Sequence, residues 1–172
     1  MTSRSVRVLV LFLVVATAGV LAQGPPDFSG KWALDQADSG STGGGRGART
    51  GGGAGQGGGL GLGPSAENLT MTQTATSLSI EEHWSSGGSA KRVYPLDGRQ
   101  VNNTLGAGRG AAAMSSSTWV NRKLVTTLSV TSNGSTRELQ ETRYLDEKGR
   151  LVVETMAPGR PNSRRSIYNK VK

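Results

Sequence analysis

The sequence predicts an all-β fold: an antiparallel up-and-down meander of about ten strands that closes into a barrel, with a disordered Gly-rich loop after strand one. Three observations predict it. From Pro64 onward apolar side chains alternate with polar ones at period two, as Leu69 and Met71 do against Thr70 and Thr72, with Ala75 in the same phase. Threonine and other β-branched residues are abundant there, and they suit a pleated surface. Turn signals punctuate the runs, with Asp97-Gly98 and Asn133-Gly134 as hairpin dipeptides.

Residues 1–22 stand apart. Arg4 and Arg7 precede an apolar run from Val8 to Leu21 that ends in Ala22, with Val20 two residues before it. This is the charged region, apolar region and small-residue cleavage site of a signal peptide. A membrane-spanning helix needs roughly 20 apolar residues, and this shorter run contains Thr17 and Gly19. The expectation is export, secreted or periplasmic, with cleavage near Ala22 and no membrane span afterwards. Cysteine is absent, so no disulfide supports the fold and no lipid is attached behind Ala22.

Residues 23–37 form the lead-in and first strand. Pro25 and Pro26 bar a helix, and Trp32 and Leu34 share one face of a strand over 31–35. Residues 38–64 are about half glycine with almost no large apolar side chain, so ordering them would cost entropy that burial does not offset. Their glycine spacing imitates a dinucleotide-binding fingerprint, but no helical pattern follows. Residues 65–172 hold the remaining strands of a single domain, expected at 67–74, 77–84, 91–96, 99–105, 112–120, 123–131, 136–145, 150–157 and 164–171. Ser85-Ser86-Gly87-Gly88, Asn121-Arg122-Lys123 and Asp146-Glu147-Lys148-Gly149 break successive strands, and 106–110 and 158–162 are looser connections. Closure of so long a meander removes its exposed edges.

The chain is basic, with a formal net charge of +8 and a C-terminal concentration in Arg160, Arg164, Arg165, Lys170 and Lys172. That balance fits either a solvated face or contact with an anionic envelope surface. Export disfavours nucleic acid as a partner.

Two short motifs at the ends of the mature chain carry a resemblance. Gly30-Lys31-Trp32 is similar to the Gly-x-Trp on the first strand of the calycin group, which includes lipocalins and fatty-acid-binding proteins. Ser166-Ile167-Tyr168-Asn169-Lys170 resembles the closing strand of the fatty-acid-binding branch, which carries Arg-x-Tyr. Phe28-Ser29-Gly30-Lys31-Trp32 is also similar to the opening of exported bacterial proteins of no established function. The resemblance implies a ten-stranded flattened barrel around an internal cavity. It departs in two places: Ser166 stands where the branch has the inward arginine, and the glycine tract stands where the branch has two helices. Arg165 lies on the opposite face by alternation.

No catalytic signature is present. His83 is the single histidine and reads as an exposed strand residue; no two-histidine metal site is possible, and Gly-x-Ser-x-Gly is absent. Glu138, Glu141 and Glu154, interleaved with Arg137 and Arg143, read either as a carboxylate pair for glycoside chemistry or as ion pairs on the sheet surface. Neither a metal nor a cofactor is expected. If the barrel has a cavity, its candidate ligand contacts are Tyr168, Arg143, Trp119 and Trp84, with Glu141 and Gln140 as further polar groups, and Trp32 packs the barrel base. The expected function is binding of a small amphiphilic or apolar ligand by a monomer, with attachment to an anionic envelope surface as the alternative.

Overall fold

The computed structural model describes residues 24–42, 65–105, 111–132, 134–157 and 163–172. The signal-peptide assignment and the glycine tract beyond Thr42 lie outside these residues, as do the two looser connections. The strands are β1 (Gly30–Leu34), β2 (Gly40–Thr42), β3 (Asn68–Gln73), β4 (Ser77–His83), β5 (Ser89–Pro95), β6 (Val101–Leu105), β7 (Ala111–Val120), β8 (Lys123–Ser132), β9 (Ser135–Leu145), β10 (Leu151–Met156) and β11 (Ser163–Val171). Every expected strand is present, with ends displaced by two residues at most.

β2 corrects the expected loop boundary. The chain stays on the sheet to Thr42, pairing Gly40, Ser41 and Thr42 with Arg165, Arg164 and Ser163. Ser39 Oγ accepts a hydrogen bond from Ile167 N at 2.9 Å, which secures the approach to this strand.

All pairings are antiparallel and run in the order β5-β4-β3-β1-β11-β10-β9-β8-β7-β6, with β2 beside β11. β1 is the hinge of this order because it pairs with both β3 and β11. The two end motifs therefore meet: Trp32 lies opposite Lys170, and Leu34 opposite Tyr168. The Lys170 ammonium rests 5.3 Å from the Trp32 ring. Gly30 adopts φ +132°, and a Cβ there would lie 2.9 Å from the Lys170 Cε. The glycine of Gly-x-Trp thus has a physical reason: a backbone region closed to other residues, with a lysine stem crossing it.

The ends of the sheet curl together at β5 and β6, but no ladder joins them. Here the structure corrects the hairpin expected at Asp97-Gly98. The turn forms, with Gly98 at φ +83°, yet its amides bind elsewhere: Gly98 N donates to Ser117 O and Leu96 N to Thr76 O. The Asn103 carboxamide fills the gap. It accepts from Val93 N and donates to Val93 O, each at 3.0 Å, standing in for a strand partner. The result is a nearly closed barrel.

One end is plugged by the lead-in. Phe28 and Trp32 are fully buried, Trp32 Nε1 donates to Phe28 O at 2.9 Å, and Gln73 ties the segment to β3 through Phe28 N and Pro26 O. Trp119 stacks on Phe28 with ring centroids 5.6 Å apart. Among the described residues no helix is long and apolar enough to cross a membrane.

Candidate functional site

Strand alternation sends every second side chain into the barrel, and in this chain several of those side chains are charged. Glu82 follows Leu78 and Ile80 on the inner face of β4. Arg92 precedes Tyr94 on β5. Glu141 and Arg143 follow Leu139 on β9. All are buried. Parity alone dictates this, because a strand cannot turn one residue outward without turning its in-phase neighbours outward too.

These four side chains form one ionic cluster. Arg92 Nη2 is paired with Glu82 Oε1. Arg143 Nη2 donates to Glu141 Oε2 at 2.5 Å. Arg92 Nη1 lies 3.9 Å from that same Glu141 oxygen and links the pairs. Arg143 Nη1 also donates to Thr126 Oγ1, which shares a hydrogen bond with Ser117 Oγ. The Tyr94 ring lies beneath both guanidinia, 5.0 Å from Arg143 and 5.9 Å from Arg92.

The electrostatics follow from burial and these partners. Burial pushes the Glu141 carboxyl up, but the adjacent Arg143 and Arg92 charges outweigh it, so its pKa falls below the ordinary value. Burial pulls the Arg143 guanidinium down, and Glu141 more than restores it. Tyr94 is raised by burial. Tyr168 is pushed up to about 12, chiefly by burial, and stays neutral.

Above the cluster lies a small, partly open cavity of about 50 Å³. One water needs roughly 10–15 Å³ of such space, so the cavity admits a head group or a few waters, and a longer tail has to extend through its open side. Glu82, Arg92, Glu141, Arg143 and Tyr168 contribute polar lining, and Leu69, Ile80, Leu105 and Val153 contribute apolar lining. Ser65, Trp84 and Arg164 complete the lining, and the Arg164 charge acts on Glu141 and Tyr168.

Of the residues expected from sequence, Tyr168, Arg143, Trp84 and Glu141 line this one cavity. Trp119 does not line it. It faces inward but at the plugged end, against Phe28, because parity fixes a side chain's face and not its depth along the barrel. Trp32 lies at that same end. Gln140 pairs with Thr127 and Met156 in the alternate phase. The reading of Glu141 and Arg143 as a surface ion pair is corrected, since both are inside and on one strand. Glu154 is on the outer face, accepting from the Tyr144 hydroxyl at 2.9 Å with Arg165 at 3.7 Å. His83 is half-exposed beside Glu81.

Sequence reasoning missed Glu82 and Arg92 as site residues. The signal was available: Glu82 shares its phase with Ile80 and Trp84, and Arg92 shares its phase with Tyr94. Ser166 occupies the expected arginine position and bonds Ser65 Oγ at 2.7 Å, while Arg164, two residues earlier on the same face, lines the cavity as well. Among the described C-terminal basic residues, Arg164 lines the cavity, Arg165 is outside near Glu154, and Lys170 is over Trp32. Among the described residues no group of three or more acids, histidines or cysteines is placed to hold a metal ion.

No family model and no curated protein matches the sequence. Solved structures do match in shape. Human cRBP IV superposes with a TM-score of 0.57 at 16% identity, covering 86% of this chain and all (100%) of that one. A REP1-NXSQ fatty acid transporter gives 0.56 at 13%, covering 84% of this chain and 96% of that one. The fluorescent protein UnaG, wild type, gives 0.52 at 14%, covering 84% and 97%. With an all-antiparallel meander and this agreement, the chain has a calycin-like β-barrel fold.

Proposed function

We propose that this barrel binds a small amphiphilic molecule, with the polar end seated at the ionic cluster and the apolar part against Leu69, Ile80, Leu105 and Val153. The observation that carries the reading is the cavity itself: charged and apolar side chains line one partly open space inside the nearly closed barrel. Binding rather than catalysis fits a floor whose charges are already paired with one another. The similarity in fold to a fatty acid transporter supports the same class of role. The basic, rather apolar N-terminus makes the protein an exported one in this reading, processed after Ala22.

Native mass spectrometry on protein recovered from the compartment to which it is exported tests both parts. The expected result is a chain beginning at Gln23 that carries a discrete added mass after gentle desalting. A bare mass that takes up nothing from a lipid extract overturns the binding role. Salt-sensitive attachment to anionic vesicles by that same bare protein would favour the envelope-surface alternative, since charge attachment weakens with ionic strength.

A further inference from the structure

We infer that the seam between β5 and β6 is the route by which a ligand exchanges with this cavity, and that the Asn103 side chain is its latch. The inference rests on the reading of the barrel as a container for an amphiphile and specifies how that same site is reached.

The seam is held by a side chain where the rest of the barrel is held by ladders. Among the described residues, β5 and β6 are the strands that end the order without pairing with each other. β6 is five residues long and pairs with β7 along one edge, Val101–Leu105 against Ser115–Ala111. Across its other edge Val93 N donates to Asn103 Oδ1 and Asn103 Nδ2 donates to Val93 O, each at 3.0 Å. A ladder opens only by losing several bonds in register, whereas this junction opens when one carboxamide lets go. Asn103 Nδ2 also donates to Ser115 Oγ at 2.9 Å, and Ser115 Oγ donates to Val101 O. The released carboxamide therefore keeps a partner on β7. Val93 is 41% exposed, so water replaces Asn103 at its backbone groups. Opening at this point leaves no polar group both buried and unpaired, which is the costly outcome elsewhere in a barrel.

The seam is also a wall of the cavity. Arg92, next to Val93, and Leu105, two residues beyond Asn103 in the same phase, both line it. Withdrawal of β6 takes Leu105 out of the wall and leaves the ionic cluster assembled. Arg92 is held by Glu82 and Glu141, and Arg143 by Glu141, and none of these residues is on β6. On the outer surface the seam is flanked by apolar side chains: Val93 on β5 and, opposite Asn102, Met114 on β7, also 41% exposed. A tail thus meets apolar surface on both sides of the opening. The plugged end offers no comparable passage, since Phe28 and Trp32 are fully buried there with Trp119 stacked on Phe28.

Stopped-flow fluorescence on the full protein tests this, with 1-anilinonaphthalene-8-sulfonate as the probe and octanol as the displacing ligand. A latch sets the barrier in both directions and not the end states. Asn103→Ala is therefore expected to speed both entry and exit by about ten-fold, with Kd changed by less than about two-fold. Asn103→Asp, which cannot donate to Val93 O, is expected to move both rates in the same sense and serves if Asn103→Ala fails to fold. Gly30→Ala, which strains β1 away from the seam, controls for general loosening and is expected to leave both rates within about two-fold of wild type. Unchanged rates in the Asn103 variants overturn the seam as the route while leaving the container reading intact, because the probe still binds. Rates raised equally in Gly30→Ala overturn it as well. A wild-type protein with no probe uptake that octanol displaces overturns the container reading, and this inference with it.

Discussion

The barrel interior is decided by single side chains. Arg143 shows the balance: it is buried, donates to Glu141 and Thr126, and covers the Tyr94 ring. Breaking a buried ion pair from one side leaves an uncompensated charge, whereas removing both partners does not. Arg143→Met is therefore expected to lose about 3–5 kcal/mol of stability. Arg143→Met combined with Glu141→Leu should recover most of that loss in urea unfolding; an equal loss in the double variant would show that the pair is worth more than its desolvation. Titration adds a second expectation. Tyr168 has its pKa raised from 10.0 to about 12 by burial. A raised pKa supplies stability that is complete below the ordinary value and lost as pH climbs toward the folded one, on the order of 2–3 kcal/mol here. Glu141, whose pKa is depressed, behaves oppositely: its contribution is present above the ordinary carboxyl range and disappears as pH falls through the lowered value. Unfolding followed across alkaline pH, in wild type and Tyr168→Phe, isolates the tyrosine share. At this scale the sequence was legible as far as parity reaches. Tyr168, Arg143 and Trp84 were named as candidates from residue type and from the closing-strand motif, whereas alternation applied to Glu82, in phase with Leu78 and Ile80, would have added it. Trp119 shows its limit: the correct face, at the opposite end of the barrel.

Elements were readable where their signals are local. Asn121 and Arg122 both take positive φ, 46° and 65°, as a two-residue turn between β7 and β8 requires. Asp97-Gly98 makes its turn as well, but strand pairing across β5 and β6 depends on the closure of the whole sheet, which no dipeptide encodes. β2 was illegible for a related reason. Gly40-Ser41-Thr42 has no alternation, and its order comes from β11, over a hundred residues away in sequence. The Asn103 bridge carries an expectation of its own. Asn103→Ala leaves Val93 N and O without their partner, and about 1–3 kcal/mol should be lost. Hydrogen exchange at the Val93 amide should speed up more than exchange in β9 or β10; uniform acceleration would mean that the bridge is no local latch. Gly30 offers a parallel case in β1. Gly30→Ala forces a side chain into φ +132° against the Lys170 stem, at about 1–3 kcal/mol, read as a lower denaturation midpoint with an unchanged slope.

The molecule as a whole uses its chain ends to close. β1 joins the β3–β5 side of the sheet to the β6–β11 side, so Gly30-Lys31-Trp32 and the closing strand, which looked like separate motifs in sequence, are partners across one ladder. Without cysteine, this long-range pairing and the plugged end around Phe28 hold the barrel together. The global meander was legible because turn signals and alternation are dense and consistent along the chain. The size of the cavity was not, because volume depends on how side chains from many strands meet at one depth. In the proposed function the paired charges of the barrel interior line an enterable cavity. The most direct measurement is side-chain NMR of arginine Nε–H groups in nitrogen-labelled protein, with and without octanol. Slowly exchanging Arg92 and Arg143 signals that shift on addition of octanol, while that of exposed Arg99 does not, are the expected result. Fast exchange of both buried groups, or shifts confined to Arg99 and its surroundings, would contradict it.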